Sequence, residues 1–256
     1  MNFKEILLNN RKFLKAHDWG EFPPSPEWEP DFRKDVAPPP LEKPHDPEVE
    51  TVELINIDET GLGTMSVRDA IGGRMSRRNF GDAHISLEEL SFLLWATQGV
   101  QSVSRDRSTT RRTVPSGGAR HPFETYLIVN RVEGLKPSVY RYLPLEHLLT
   151  EAGRLGDDTE KRLTEAGEGQ TFIARAAVVF VWTAIPYRAE WRYSIIAHKD
   201  IAIEAGHICQ NLYLACEAIG AGTCAVTSYH QKKIDELIGV DGEEEFTVYL
   251  APVGRI

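Results

Sequence analysis

Hydrophobic positions along the 256-residue chain change their period several times, and each change predicts an element. Phe3, Ile6, Leu7, Phe13 and Leu14 recur at helical spacing, which predicts a short amphipathic helix over residues 2–16. The run HDWGEFPPSPEWEPDFRKDVAPPPLEKPHDP follows, dense in proline. Fixed φ angles and missing N–H donors predict extended chain there, without regular structure. Trp19, Phe22, Trp28 and Phe32 suggest an arm laid over another surface, a partner subunit for instance, as against a solvated linker. Regular patterning resumes near Met65. The chain therefore divides into 1–64, helix plus arm, and 65–256, a compact domain.

Within that domain a helix is expected at about 65–72, followed by RMSRRNF and a helix opened by Ser86. Glu88 and Glu89 in its first turn complement the free N–H groups and the dipole of a helix start. ETYLIVN, SVYRYLP, AAVVFVWTAI, TCAVTS and EFTVYLAPVG read as strands, DDTEKRLTEAG and QKKIDELIG as helices. A long helix from about Asp200 to Ile219 has apolar or small residues on most faces, so it should be buried or shared between subunits. Strands do not alternate strictly with helices, which makes the class α+β.

Composition narrows the function. A formal charge of -9 argues against a general binder of nucleic acid or anionic membrane. Cys209, Cys216 and Cys224 are odd in number and form no CxxC pair, so neither a disulfide framework nor a metal site is suggested. The N-terminus lacks a long apolar core and no run approaches the ~18 apolar residues of a membrane span. A cytoplasmic protein with free thiols is expected.

Two familiar spellings fail in context. GAGTCA at 220–225 matches G-x-G-x-x-A but follows a helix and precedes a strand, the reverse of a dinucleotide turn. Gly220 and Gly222 are read instead as helix C-cap glycines. Glu204-x-x-His207 is half of a di-iron signature whose second copy is absent, so His207 is read as a core or interface histidine.

Two segments carry chemistry. Arg74, Arg77 and Arg78 cluster beside Ser76 just after a helix, and guanidinium forks match phosphate oxygens in shape and charge. In Pro115-Ser116-Gly117-Gly118-Ala119, paired glycines let backbone approach something flat. Arg120 and His121 follow, placed to bind an anionic group or to stabilise the loop. A ring plus a phosphomonoester describes a flavin mononucleotide.

From about residue 65 onward these motifs resemble the FMN-dependent nitroreductase superfamily. The resemblance rests on R-x-S-x-R-x-F at Arg74–Phe80, the loop Pro115–Pro122, EAGHICQNLYLACEAIGAG, TCAVTS and the closing PVG. EAGHICQNLYLA and VYRYLPLEHLL look most like the azoline dehydrogenase branch, which oxidises cyclised residues in modified peptides. The resemblance implies a nitroreductase-like fold, with a mainly antiparallel sheet flanked by helices, in an intertwined homodimer with flavin at the subunit interface. It implies that Arg74, Met75, Ser76 and Arg78 hold the phosphate and ribityl chain. Pro115, Ser116, Gly117, Gly118, Ala119 and Arg120 form the loop at the flavin, often from the other subunit. Val226, Thr227 and Ser228 form a turn whose N–H groups approach the ring, and Arg255 is the remaining basic candidate for the phosphate. The Lys-Tyr pair of azoline dehydrogenases falls on Arg192 and Tyr193, and arginine cannot serve as a general base. The expected activity is hydride transfer through FMN, with NAD(P)H reducing a small acceptor such as a nitroaromatic or quinone. An FMN dehydrogenase of a peptide-derived azoline and a non-catalytic flavin binder are the alternatives.

Overall fold

A computed structural model describes residues 2–15 and 29–256; Trp19, Phe22 and Trp28 lie outside them. Seven strands form one sheet: β1 (Thr51–Glu53), β4 (Phe123–Val129), β5 (Ser138–Leu143), β6 (Leu148–Arg154), β7 (Val178–Ala184), β8 (Ala221–Thr223) and β9 (Phe246–Arg255). Their order is β1-β6-β5-β4-β7-β9-β8, with every ladder antiparallel. β2 (Val100–Val103) and β3 (Thr110–Arg112) make a separate antiparallel pair. The class is α+β.

Period-two alternation sorts the central strands onto two cores. Phe123, Leu127 and Val129 of β4 join Phe180, Trp182 and Ala184 of β7 on one face. There they meet α3 (Leu87–Gln98) and the 22-residue α7 (Ala197–Ala218), which supply Leu90, Leu93, Leu94, Ile208 and Leu212. Tyr126, Ile128, Val179 and Val181 face the other way, onto α4 (Thr159–Ala166), α5 (Thr171–Ala174) and α8 (Gln231–Ile238). Because both faces are covered, β4 and β7 are buried at every position and read in sequence as largely apolar runs, broken only by Glu124, Thr125 and Thr183.

The helix at Ser86 starts as expected, with a capping box in which Ser86 Oγ accepts from Glu89 N and Glu89 accepts from Ser86 N. α2 spans Val67–Gly73 and α6 spans Tyr187–Tyr193. Gly220 has φ 67 just past α7, as a C-cap glycine should. Gly222 does not cap: it lies in β8, where a Cβ would stand 2.5 Å from Ile256 and 2.9 Å from Arg77. β6 and the β2–β3 pair lack a continuous apolar signature because most of their positions are exposed or intermediate. The strand expected over TCAVTS lies earlier, as β8 over Ala221–Thr223, and past Thr223 only a single bridge joins Val226 to Leu250.

At the N-terminus, α1 (Phe3–Leu14) is held by an Asn2–Glu5 capping box and buries none of its residues. Residues 29–53 lie on the chain's own domain. Asp31–Lys34 form a 3-10 turn in a stretch expected to be irregular, Phe32 packs edge-on against Trp191 at 5.2 Å, and Trp191 Nε1 donates to Val36 O. Further on, the buried Glu124 carboxylate accepts from Lys43 N at 2.8 Å, Arg188 at 2.5 Å and Arg141 at 3.2 Å. Arg141 also donates to the carbonyls of Lys43 and Pro44. Burial alone would raise the Glu124 pKa, but the two guanidinium groups outweigh it and hold it below the usual carboxylate range.

Candidate flavin site

Two clusters of side chains flank α7. The first begins where α2 stops at Gly73. Beyond it the chain is extended, bridging Ser76 to Thr223 of β8, with Arg77 N donating to Thr223 O. Successive side chains of extended backbone point opposite ways, and the three arginines part company. Arg77 is turned onto Glu217 of α7, at 2.9 and 3.0 Å. Arg74 lies over the Tyr213 ring at 5.3 Å and Arg78 over the Phe172 ring at 5.8 Å. Neither Arg74 nor Arg78 has a carboxylate partner among the described residues. Both are cations held on aromatic faces with their forks uncommitted. Ser76 Oγ lies 2.9 Å from Tyr213 Oη, and that hydroxyl accepts from Ala225 N at 2.8 Å. Tyr213 thus ties the arginine segment to the turn at 225–228, a linkage that sequence reasoning missed.

In that turn Val226 is buried, and its N–H donates to Leu250 O rather than standing free. Thr227 and Ser228 are exposed, and their N–H groups have no acceptor within the described chain. Ser228 Oγ binds Glu168 and its carbonyl accepts from Gln170. Met75 is exposed. Arg255 stands apart from Arg74 and Arg78: its Nη2 donates to both carboxylate oxygens of Glu89 at 2.6 Å, and its Nη1 donates to Ile219 O.

The second cluster surrounds the glycine loop. Gly117–Ala119 form a 3-10 turn in which Gly118 has φ 57 and Ala119 φ 53; Pro115 before it is exposed. Ser116 Oγ accepts from His121 N at 2.8 Å and closes the turn. Gly117 N donates to Glu204 of α7 at 2.6 Å. Gly118 lies beneath α6: a Cβ there would meet Arg192 Cδ at 2.5 Å and Tyr193 Oη at 2.8 Å. The structure therefore brings Arg192, Tyr193 and the loop together, as the sequence assignments require of one site. Glu204 was dismissed in the sequence as half of a metal signature, yet it is the acid beneath the loop. Burial pushes its carboxyl up to about 7, with Asp200 adding to the rise while the Gly117 N–H and Ser116 hydroxyl oppose it.

Arg120 and His121 turn inward. Arg120 donates to Arg188 O and Ser108 O and stacks on Trp191 at 4.7 Å. His121 meets Thr110 O, and burial followed by neighbouring arginines lowers its pKa to about 3, so the ring is neutral. Of the two roles the sequence left open, these contacts fit loop stabilisation. His207, read as a core or interface residue, is exposed on α7.

The two clusters lie on different sides of α7. Glu204 and Tyr213 are nine residues apart, about two and a half helical turns, hence on opposite flanks of α7 and about 13.5 Å apart along its axis. Between them runs an exposed face with Ile203, Gly206, His207 and Gln210. A separate apolar groove of 330 Å³, lined by Met65, Val67, Phe92, Trp95 and Leu214, contains none of the predicted site residues.

This fold, with an arginine–serine segment and a glycine loop on either side of one long helix, belongs to a known class. The nitroreductase family profile covers residues 71–255, and the chain is a member of the nitroreductase family. The Methanocaldococcus jannaschii protein MJ1384, described as a nitroreductase, is 32% identical over 204 residues, 80% of this chain and 96% of that one. The Escherichia coli microcin B17-processing protein McbC is 25% identical over 142 residues, 54% of this chain and 52% of its own length. Among solved structures, a Ralstonia eutropha JMP134 chain described as a nitroreductase superposes with TM-score 0.65 at 24% identity, over 86% of this chain and 94% of that one. A chain of the E. coli microcin synthetase McbBCD complex gives TM-score 0.59 at 20% identity, over 89% and 86% respectively.

Proposed function

We propose that the protein is an FMN-dependent oxidoreductase that works as a homodimer, taking electrons from NAD(P)H and passing them to a small organic acceptor. The observation that carries this reading is the pair of aromatic-stacked, unpaired guanidinium groups, Arg74 and Arg78, beside the Ser76–Tyr213–Ala225 hydrogen-bond chain. Those donors suit a phosphomonoester and the hydroxylated tail behind it. On the far flank, the loop Ser116–Ala119 offers backbone to a planar ring, and Thr227 and Ser228 offer free N–H groups beside the clamp. Bound between them, FMN would supply two-electron hydride chemistry. The protein's part is to grip the phosphate, align the ring and exclude water.

Opposite flanks of one helix serve one ligand only if two chains cooperate. Packing the exposed face of α7 against its own copy about a two-fold axis turns the loop of one protomer toward the arginines of its partner. The flavin unit is residues 65–256, with 1–64 the helix and arm attached to it. Tyr193 Oη, above Gly118, is the hydroxyl placed to hand on a proton; Arg192 remains charged and cannot remove one.

A second reading, dehydrogenation of a peptide-derived azoline, is favoured by the similarity to the microcin-processing protein. Anaerobic mixing separates the two: bleaching of the yellow protein by NADPH or NADH supports the first, and bleaching only by an azoline-containing peptide supports the second. The site itself is tested by Arg74→Ala with Arg78→Ala. Charge-assisted hydrogen bonds at ~1.5–3 kcal/mol each predict FMN binding weakened by about 10²–10⁴-fold in a folded dimer. FMN retained at normal stoichiometry would refute the assignment.

A further inference from the structure

Arg192 sits at the end of α6 with its guanidinium 4.7 Å from the Phe32 ring and 5.8 Å from the Tyr193 ring. Its shaft passes directly above Gly118. It makes no hydrogen bond or ion pair among the described residues, and its Nε is enclosed without a partner. Three of the acids around the loop have other engagements, while Asp200, whose Oδ2 lies 3.7 Å from the Cβ position of Gly117, forms no ion pair with Arg192. Asp31 binds Tyr187 and Lys34, Glu190 binds His198, and Glu204 accepts from Gly117 N. Arg120 adds positive field from behind, its Nε and Nη1 already donating to carbonyls. The result is a cation on the loop side of the site, held on two rings and without an ion-pair partner among the described residues. Arg74 and Arg78 show the same signature on the phosphate side.

A guanidinium stacked through its face keeps its edge for a planar, two-oxygen anion, and little side-chain freedom is lost when one arrives. We propose that Arg192 is the docking point for a carboxylate on the substrate, so that the protein selects organic acids over their neutral analogues. This deepens the proposed flavin function and rests on that reading for its chemistry, but not for its binding test. It also gives a role to the position where the azoline-dehydrogenase resemblance leads one to expect a lysine, because an arginine that cannot be a base can still be an anchor.

The experiment uses the full-length protein as purified, with its flavin content measured separately. Benzoate and its neutral isostere benzamide are titrated by calorimetry into the wild type, Arg192→Gln and Arg192→Lys. Turnover with NADPH is compared for 4-nitrobenzoate and 4-nitrobenzamide. The expected result is that benzoate binds the wild type more tightly than benzamide. Arg192→Gln should cut the preference for the acid, in binding and in kcat/KM, by about 10- to 100-fold, as loss of charged hydrogen bonds implies. Arg192→Lys should fall between, keeping the charge but losing the fork. An unchanged acid-to-amide ratio overturns the proposal. So does an effect confined to the KM of NADPH, which would assign Arg192 to the electron donor, or loss of flavin from Arg192→Gln at normal stability, which would assign it to the cofactor. A protein that binds benzoate through Arg192 but carries no flavin refutes the proposed function and leaves the anion site standing.

Discussion

Replacing Gly118 by alanine puts a methyl group 2.5 Å from Arg192 Cδ, 2.6 Å from Arg192 Nε and 2.8 Å from Tyr193 Oη. It also forces an L-residue to hold φ 57. The left-handed conformation costs roughly 1–2 kcal/mol, and forcing an atom into occupied space roughly 1–3 kcal/mol. Relief by swinging Arg192 away forfeits its stack on Phe32, about 0.5–1 kcal/mol. Because these responses compete rather than add fully, the net loss is about 2–4 kcal/mol. At roughly 2–4 °C per kcal/mol for a chain of this size, Tm falls by about 5–15 °C. Gly117→Ala is the internal control: its Cβ finds nothing nearer than 3.4 Å and its φ is not positive, so Tm should shift by no more than about 2 °C. Thermal unfolding followed by circular dichroism measures both. Combining Gly118→Ala with Arg192→Ala should recover part of the loss, since the clash term disappears and the two sites couple. Equal effects at the two glycines, or strict additivity in the double variant, would sink this account of the loop.

Two further predictions concern buried acids. The raised pKa of Glu204 means that the folded state holds its proton more tightly than the unfolded chain. Its contribution to stability is therefore intact below about pH 4.5 and is lost as pH rises toward about 7. Glu204→Gln, which keeps an acceptor for Gly117 N–H, should gain on the wild type by up to about 3 kcal/mol between pH 5 and pH 8; a constant difference across that range in chemical denaturation refutes the assignment. Glu124→Ala strands the buried Arg141 and Arg188 without their shared counter-charge and should cost about 3–5 kcal/mol; a loss below 1 kcal/mol would mean that the cluster is solvated.

What could be read from the sequence follows from how local each signal is. β4 and β7 announce themselves because two covered faces leave few polar positions, and α3 because its capping box spans only Ser86 to Glu89. Arg74, Ser76 and Arg78 sit within five residues and keep their chemistry when written in a line. Tyr213 and Glu204 do not: one reaches Ser76 across 137 positions and the other Gly117 across 87, and nothing in the intervening letters encodes either contact. Arg255 shows the converse. A lone terminal arginine invites a phosphate, but folding carries it 166 residues back to Glu89. Charge was legible; availability was not, because an ion pair forms only once the chain has chosen its neighbours.

Ser76 and Arg77 run along the outer side of β8, so the segment bearing the uncommitted arginines borrows the stiffness of a sheet margin. An anion arriving there meets a finished receptor and need not organise one. The chain can then complete its folding empty, its calorimetric response to loading should carry only a small heat-capacity change, and stripping and reconstitution should be reversible without refolding.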